Sequence, residues 1–335
     1  MATELTAQMK QVKKSHATHL LSKRNVVGVG LGHKISHGVL TDDLCLVVSV
    51  THKVDPSALS AEDLVPQALD GVKTDVVATG ILRAFGSGTR DRWRPVVPPG
   101  ASLGHYHITA GTFGCLVQRD GEVFILSNNH VLADVNQGQQ GDGILQPGPS
   151  DGGTASDRIA TLGDYVSLDF GTASSECPIA EWSAEMLNYV AGALGSSHHL
   201  QAVKQTEGIN RVDAALARPL SPDLVKGEVL HIGAPTGVGT AGLGMAIQKT
   251  GRTTGYTQGL ITQMDATLRI DYEGRTALFT DQLVAGPMSR PGDSGSAVLD
   301  MDGRVVGLLF AGSDSATIIN PIDEVLSALD VELAT

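Results

Sequence analysis

Three short segments carry the residue types that acyl-transfer chemistry needs. The first is Pro291-Gly292-Asp293-Ser294-Gly295-Ser296-Ala297-Val298, where a serine stands between glycines. A turn of this kind presents the hydroxyl and uncovers backbone N–H groups. Those of Gly292 and Ser294 could hold the oxyanion of a tetrahedral intermediate. The second is Phe124-Ile125-Leu126-Ser127-Asn128-Asn129-His130-Val131-Leu132, an apolar strand that runs into a histidine. With the hairpin Gly114 to Val123 beside it, this strand end is stiff enough to keep a base within about 3 Å of a nucleophile. The third is Arg211-Val212-Asp213-Ala214-Ala215-Leu216-Ala217, where an acid opens a small-residue strand. A buried carboxylate must be paired, and a carboxylate that orients a histidine is paired by definition. Asp134, Asp157, Asp164 and Asp169 also fall between His130 and Ser294 and compete for that role. Only Asp213 opens an apolar strand; Asp164 and Asp169 read as turn and strand-end residues.

The order His130, Asp213, Ser294, with Ser127-Asn128-Asn129-His130-Val131 and Gly292-Asp293-Ser294-Gly295, resembles the chymotrypsin-fold (trypsin-like) serine peptidases over residues 103–320. The likeness is strongest to the HtrA/Deg branch, whose histidine strand reads T-N-x-H-V. With Val26–Gly32 and the Lys249–Gly255 hairpin included, the chain is most similar to bacterial relatives of the plant NARROW LEAF proteases. The resemblance implies a mainly β fold of two six-stranded antiparallel β-barrels with the site between them. It implies His130 as base, Asp213 as its orienting acid, Ser294 as nucleophile, and the Gly292 and Ser294 N–H groups as oxyanion hole. No cofactor and no metal are implied.

The chain departs from the family pattern at several points. Ser296 stands where many relatives have a second glycine. Phe310 occupies the position that usually supplies a small hydroxyl near the acid. No Arg/Lys-Ile-Val-Gly-Gly precedes the barrels, so activation by a cut and insertion of a new N-terminus is not expected, and Asp293 needs another partner, with Arg290 near in sequence. Counting six residues back from the serine puts Met288 at the floor of the specificity pocket, with Phe310 and Gly312 on the opposite wall. One inserted residue would put Arg290 or Gly286 there instead. Burying a Lys ammonium against Met and Phe costs several kcal/mol, of order 2–7, whereas a Leu or Val gains roughly 1.5–3 kcal/mol. Cleavage after small or medium aliphatic residues is the expectation. The same triad would also serve an esterase or amidase, and a distorted one would leave a pseudoprotease or scaffold.

The elements that must position these residues are strands. Of 335 residues 40 are Gly, while aromatics reach only 4%, which suggests many tight turns between short strands. The balance of 24 basic and 36 acidic residues, 24 − 36 = −12, opposes nucleic acid and anionic membrane as partners. No apolar run reaches 18 residues and Met1–Lys14 lacks a secretory pattern, so the chain reads as soluble and cytoplasmic. Cys45, Cys115 and Cys177 show no metal spacing and read as reduced thiols.

Residues 1–83 read as an α+β domain that regulates or assembles, with a short capped helix at Ser60–Leu64, and a homo-oligomer is expected. Residues 84–102 read as a linker that could pack along the next domain. Residues 103–320 form the double barrel, with a helical insertion at about 178–206 whose Ile179, Trp182, Met186, Tyr189 and Val190 read as a packing face. A helix closes the chain at 321–335. Gly28, Gly30 and Gly32 lack G-x-G-x-x-G spacing, and Gly251–Gly255 lacks a P-loop lysine, so both read as strand or hairpin. His105 with His107, His198 with His199, and His16 with His19 lack a completing acid or cysteine and read as surface histidines. The substrate class implied is a protein or peptide.

Overall fold

β-Branched runs punctuated by glycine turns form strands wherever one face can be buried. A computed structural model of the chain describes residues 2–36, 39–79, 88–175, 177–205 and 208–334. The chain divides into two units, Met1–Gly86 and Ser87–Thr335.

In the first unit, helix α1 (Ala2–Leu21) precedes strands β1 (Val26–Ser36), β2 (Val39–Val50), β3 (Ala68–Leu69) and β4 (Val72–Ala78). The sheet order is β1-β2-β4-β3, with β2 and β4 parallel. Met9 and Val12 of α1 bury themselves against Leu46 and Val72. The Gly28–Gly32 run lies within β1, paired along β2. The helix expected at Ser60–Leu64 is a turn instead, in which Ser60 O accepts from Asp63 and Leu64 N–H and Ser60 Oγ donates to Asp63. Five residues cannot repay helix nucleation without a packed face.

The second unit opens with β5 (Ser102–His105), β6 (Gly111–Thr112), β7 (Cys115–Arg119), β8 (Glu122–Ser127) and the single-turn helix α2 (Asn129–Leu132). Then come β9 (Gly143–Leu145) and β10 (Arg158–Tyr165). The insertion comprises β11 (Thr172–Ser174), α3 (Pro178–Ala193) and β12 (Val203–Gln205). It is followed by β13 (Ile209–Asn210) and β14 (Ala215–Pro219). Phe113 bonds Ala101 and Gly100, so β6 and β7 act as one bent strand. The pairing β5-β6/β7-β8-β14-β10-β9-β5 is then a closed six-stranded barrel.

The second barrel uses β15 (Gly237–Val238), β16 (Ala246–Gly251), β17 (Gly255–Tyr272), β18 (Arg275–Ala285), β19 (Ala297–Asp300), β20 (Arg304–Gly312) and β21 (Thr317–Pro321). Its ring is β16-β17-β18-β21-β20-β19-β16, with β13 and β15 added at the outside. Each barrel has its own apolar filling, around Phe113, Ile125 and Leu162 in one and Ile247, Val298 and Ile319 in the other. A further cluster joins them: Val117, Leu126 and Leu216 from the first meet Leu299, Val305 and Leu308 from the second. Each such side chain contributes roughly 1.5–3 kcal/mol by leaving water.

Residues 88–101 of the linker pack along the first barrel: Arg92 and Arg94 pair with Asp157, Trp93 N–H donates to Gln146, and Val97 is buried. Two expectations change. The apolar face of α3 is not packed; Trp182 is 63% and Tyr189 80% exposed, and no residue of the helix is buried. Helical spacing reports an apolar face but not its cover. The closing helix α4 (Ile322–Leu329) stops at Asp330, which turns left-handed at φ 51°. Strand β22 (Glu332–Leu333) then pairs with β7. Among the described residues no helix is long and apolar enough to cross a membrane.

Candidate active site

The end of β8 carries His130 on the first turn of α2, and Asp213 stands just before β14, the strand paired with β8. That pairing brings the two together: His130 Nδ1 lies 2.6 Å from Asp213 Oδ2, and the His130 backbone N–H donates to Oδ1 at 3.3 Å. Asp213 is fully buried, so its charge must be met by donors. The Tyr272 hydroxyl supplies another, at 2.7 Å from Oδ2. The Asp213 backbone is fixed as well: its N–H donates to Asn320 Oδ1 and its carbonyl accepts from Asn128 Nδ2. Burial first, then the neighbouring carboxylate, pushes the Tyr272 phenol well above its ordinary value, so it stays a donor. Three of the competing acids are engaged elsewhere. Asp164 pairs with Arg119, Asp157 with the strap arginines, and Asp169 accepts from Gly171 N–H.

Ser294 lies on the turn between β18 and β19, and Thr112 of the first barrel clasps that turn. Thr112 N–H donates to Ser294 O at 2.8 Å, its hydroxyl donates to Gly292 O at 3.0 Å, and it accepts from Arg252 N–H at 2.9 Å. A Cβ placed on Gly111 would meet Val131 at 2.5 Å and Ser294 O at 3.0 Å. The residue after His130 and the backbone of Ser294 therefore converge on one spot, where only glycine fits. Gly292 has φ +96°, a left-handed conformation that glycine adopts without strain. Among the described residues, no hydrogen bond takes up the N–H of Gly292 or of Ser294. Ser294 Oγ donates to Phe310 O at 3.3 Å.

Asp293 finds its partner in Lys249, at 3.2 Å, with both side chains fully buried. It also accepts from Thr253 and Thr254 N–H, from the Thr254 hydroxyl and from Arg290 N–H. Burial pulls its carboxyl upward, but Lys249 and these donors outweigh that and hold it below its ordinary value. Burial also lowers Lys249, with Asp293 opposing. The Lys249 ammonium further donates to Thr254 Oγ1 and Gly255 O. The Arg290 side chain is not the partner; its backbone N–H is. A Cβ on Gly251 would sit 2.5 Å from Asp293 Oδ1, so the hairpin needs glycine there.

The expected pocket residues are scattered. Met288 is 2% exposed and packs against Gly259 in the filling of the second barrel. Phe310 is 3% exposed and packs at a tilt against Phe279 in a different cluster, with ring centroids 4.8 Å apart. Gly312 is exposed, and the group nearest to its missing side chain, apart from a backbone carbonyl, is Ser289 Oγ, itself 2.8 Å from Thr317 Oγ1. Met288 reaches this pair through its backbone, its N–H donating to Thr317 Oγ1 at 3.2 Å.

Tyr272, Thr112, Lys249 and Asn320 escaped the sequence reading. Tyr272 lies 59 residues beyond Asp213, and no motif marks it. Lys249 could have been found, since a lysine inside an apolar strand needs an acid. Among the histidines, His105 and His107 do find an acid: their ligand atoms and one of Asp134 lie within 4.8 Å of one another. Yet both ring nitrogens of His105 are engaged, Nε2 with Asp142 and Nδ1 with His107 N–H, leaving no lone pair for a metal. Of the thiols, Cys45 and Cys115 are buried and Cys177 is exposed, all free. Burial pushes Cys115 up to about 12, which keeps it unreactive.

Two closed antiparallel barrels meeting along one seam, with the acid–imidazole pair on one side and the glycine-flanked serine turn on the other, define the chymotrypsin-like class of fold. No family model matches this sequence, and no curated protein matches it. Solved structures do superimpose on it. Protease A of Thermobifida fusca is 17% identical over 72% of this chain and 99% of its own, with a TM-score of 0.45. Nocardiopsis protease is 15% identical over 71% and 100%, at 0.46. Cellulomonas bogoriensis chymotrypsin is 17% identical over 71% and 98%, at 0.43. These likenesses carry no residue roles across.

Proposed function

We propose that the chain is a serine endopeptidase. The observation that carries this is the buried Asp213 holding His130 Nδ1 at 2.6 Å, on the same seam as a serine turn with uncommitted N–H groups. Ser294 Oγ turns from Phe310 O toward His130 Nε2, gives up its proton there and attacks the scissile carbonyl. Asp213 fixes the tautomer with Nδ1 protonated and stabilises the imidazolium. The N–H groups of Gly292 and Ser294 receive the oxyanion. His130 then returns the proton to the leaving amine, and water, deprotonated in turn by His130, hydrolyses the acyl-serine. No step requires a cofactor or metal.

For the residue before the cut, the proposal is a small or medium aliphatic side chain. The support is that the atoms nearest to a Cβ on Gly312 are the Ala316 carbonyl, Ser289 Oγ and Thr317 Cα, none of them charged, and that the Ser289 hydroxyl is bonded to that of Thr317. Cleavage sites in a denatured proteome test it; a dominant Lys, Arg or acidic preference would overturn it. One observation favours a scaffold instead, the bond from the Ser294 hydroxyl to Phe310 O. A fluorophosphonate probe separates the two, because only an activated serine reacts. Ser294→Ala and His130→Ala are each expected to lose about 10⁴-fold or more in kcat/KM with folding intact. Cleavage by Ser294→Ala would end the proposal.

A further inference from the structure

Strands β17 and β18 run on beyond the second barrel as a two-stranded arm, turning at Glu273–Gly274. Tyr272 sits at the tip of that arm, and its hydroxyl lies 2.7 Å from Asp213 Oδ2, the oxygen that also faces His130 Nδ1. The Tyr272 ring is held from several directions: edge-on to Phe170 at 5.6 Å, edge-on to the His130 ring at 5.9 Å, and over Phe279 at 6.3 Å. The returning strand is bonded to the segment that leads into the acid. Ile209 and Asn210 pair in parallel with Leu278 and Phe279, Asn210 Nδ2 donates to Leu278 O, and Gln282 Nε2 donates to Arg211 O. The arm therefore grips both the backbone before Asp213 and its carboxylate.

We infer that Tyr272 is a positioning residue, which fixes the Asp213 carboxylate for His130 through its phenol hydroxyl and makes the acid's setting depend on the docked arm. The inference rests on the peptidase reading for its consequence in turnover. Its physical content is a shared acceptor: one carboxylate oxygen takes a proton from the phenol and from the imidazole, so each bond draws charge from the other. The titratable groups facing Asp213 are His130 from the helix after β8 and Tyr272 from the arm. β8 and β21 bring Asn128 and Asn320, both neutral.

The test is Tyr272→Phe, which keeps the ring contacts and deletes only the donor. With the full-length chain, kcat is expected to fall roughly ten- to hundredfold at little change in KM, the loss of one hydrogen bond to a charged group. The acid limb of the kcat/KM profile should move to higher pH, because a carboxylate with one donor fewer stabilises the imidazolium more strongly. A readout that needs no turnover is the low-field Nδ1–H proton signal of His130 in Ser294→Ala. It should move further downfield on adding Tyr272→Phe. Should that variant not fold, difluorotyrosine at position 272, a stronger donor, should move it upfield. An unmoved signal and unmoved kinetics in an active enzyme would overturn the inference and leave the peptidase reading standing. A wild-type chain that neither cleaves nor labels would end the peptidase reading, while the signal still tests the shared acceptor.

Discussion

Asp213 is the residue on which the proposed chemistry turns, and it is also the easiest to misassign from sequence. Asp213→Asn would leave a neutral amide against His130 Nδ1 and favour the wrong tautomer, so kcat should fall by about 10⁴-fold. Asp164→Asn and Asp169→Asn should stay near wild type, since those side chains serve Arg119 and a local turn. A large loss at either, with a normal Asp213 variant, would relocate the acid. At the neighbouring Asp293, Lys249→Met leaves a fully buried carboxylate without its cation. The expected cost is about 3–5 kcal/mol in denaturant unfolding. Adding Asp293→Asn should recover part of it, because the uncompensated charge is then gone. A double variant no more stable than the single one would show that the pair is not the main partner relation at this turn.

At the level of elements, what could be read in advance was what local pattern encodes. Val26–Gly32, Leu44–Val50, Phe124–Ser127 and Ala215–Ala217 alternate or run apolar between turn residues, and they are strands. The glycine-flanked serine and the histidine at a strand end announce themselves by their neighbours. Tyr272 does not, because its role comes from the length of an arm and the register of β18 against β13, which no local pattern records. The exposed face of α3 and the scatter of Met288 and Phe310 have the same origin: spacing shows that a side chain is apolar, not which cluster takes it.

The strap at 88–101 was legible only as composition, yet it is held by charge. Asp157 sits at about 2 against an ordinary 3.8; burial pulls it upward, but Arg92 and the Thr154 amide and hydroxyl outweigh burial. With its folded value depressed, ionised Asp157 stabilises the fold above pH 3.8, and that support drains away as pH falls from 3.8 to about 2. Asp157→Asn should therefore flatten the acid arm of a Tm–pH curve in that window. An unchanged arm would mean the strap's other contacts, such as Trp93 with Gln146, Arg94 with Gln146 and buried Val97, hold it without Asp157.

For the molecule as a whole, the proposed machinery lies in the unit from Ser87 onward, while the first unit offers an apolar sheet and, among its described residues, no reactive constellation. We propose that the first unit assembles or regulates. Light scattering and kinetics on the full chain and on a chain shortened to begin at Ser87 decide it, and equal protomer mass with equal kinetics would dispose of the idea.

The segment after the last strand of the second barrel has a consequence for how the protein comes to be made. Ile322, Val325 and Leu329 of α4 and Leu333 of β22 belong to the apolar cluster shared by the barrels, and β22 pairs with β7 of the first. A barrel whose strands span residues 102–219 thus borrows its final layer from residues some hundred positions later. During synthesis the early strands leave the ribosome long before that layer exists, with the edge of β7 open to wrong pairing. The same order of events delays completion of that shared cluster until translation has passed Leu333.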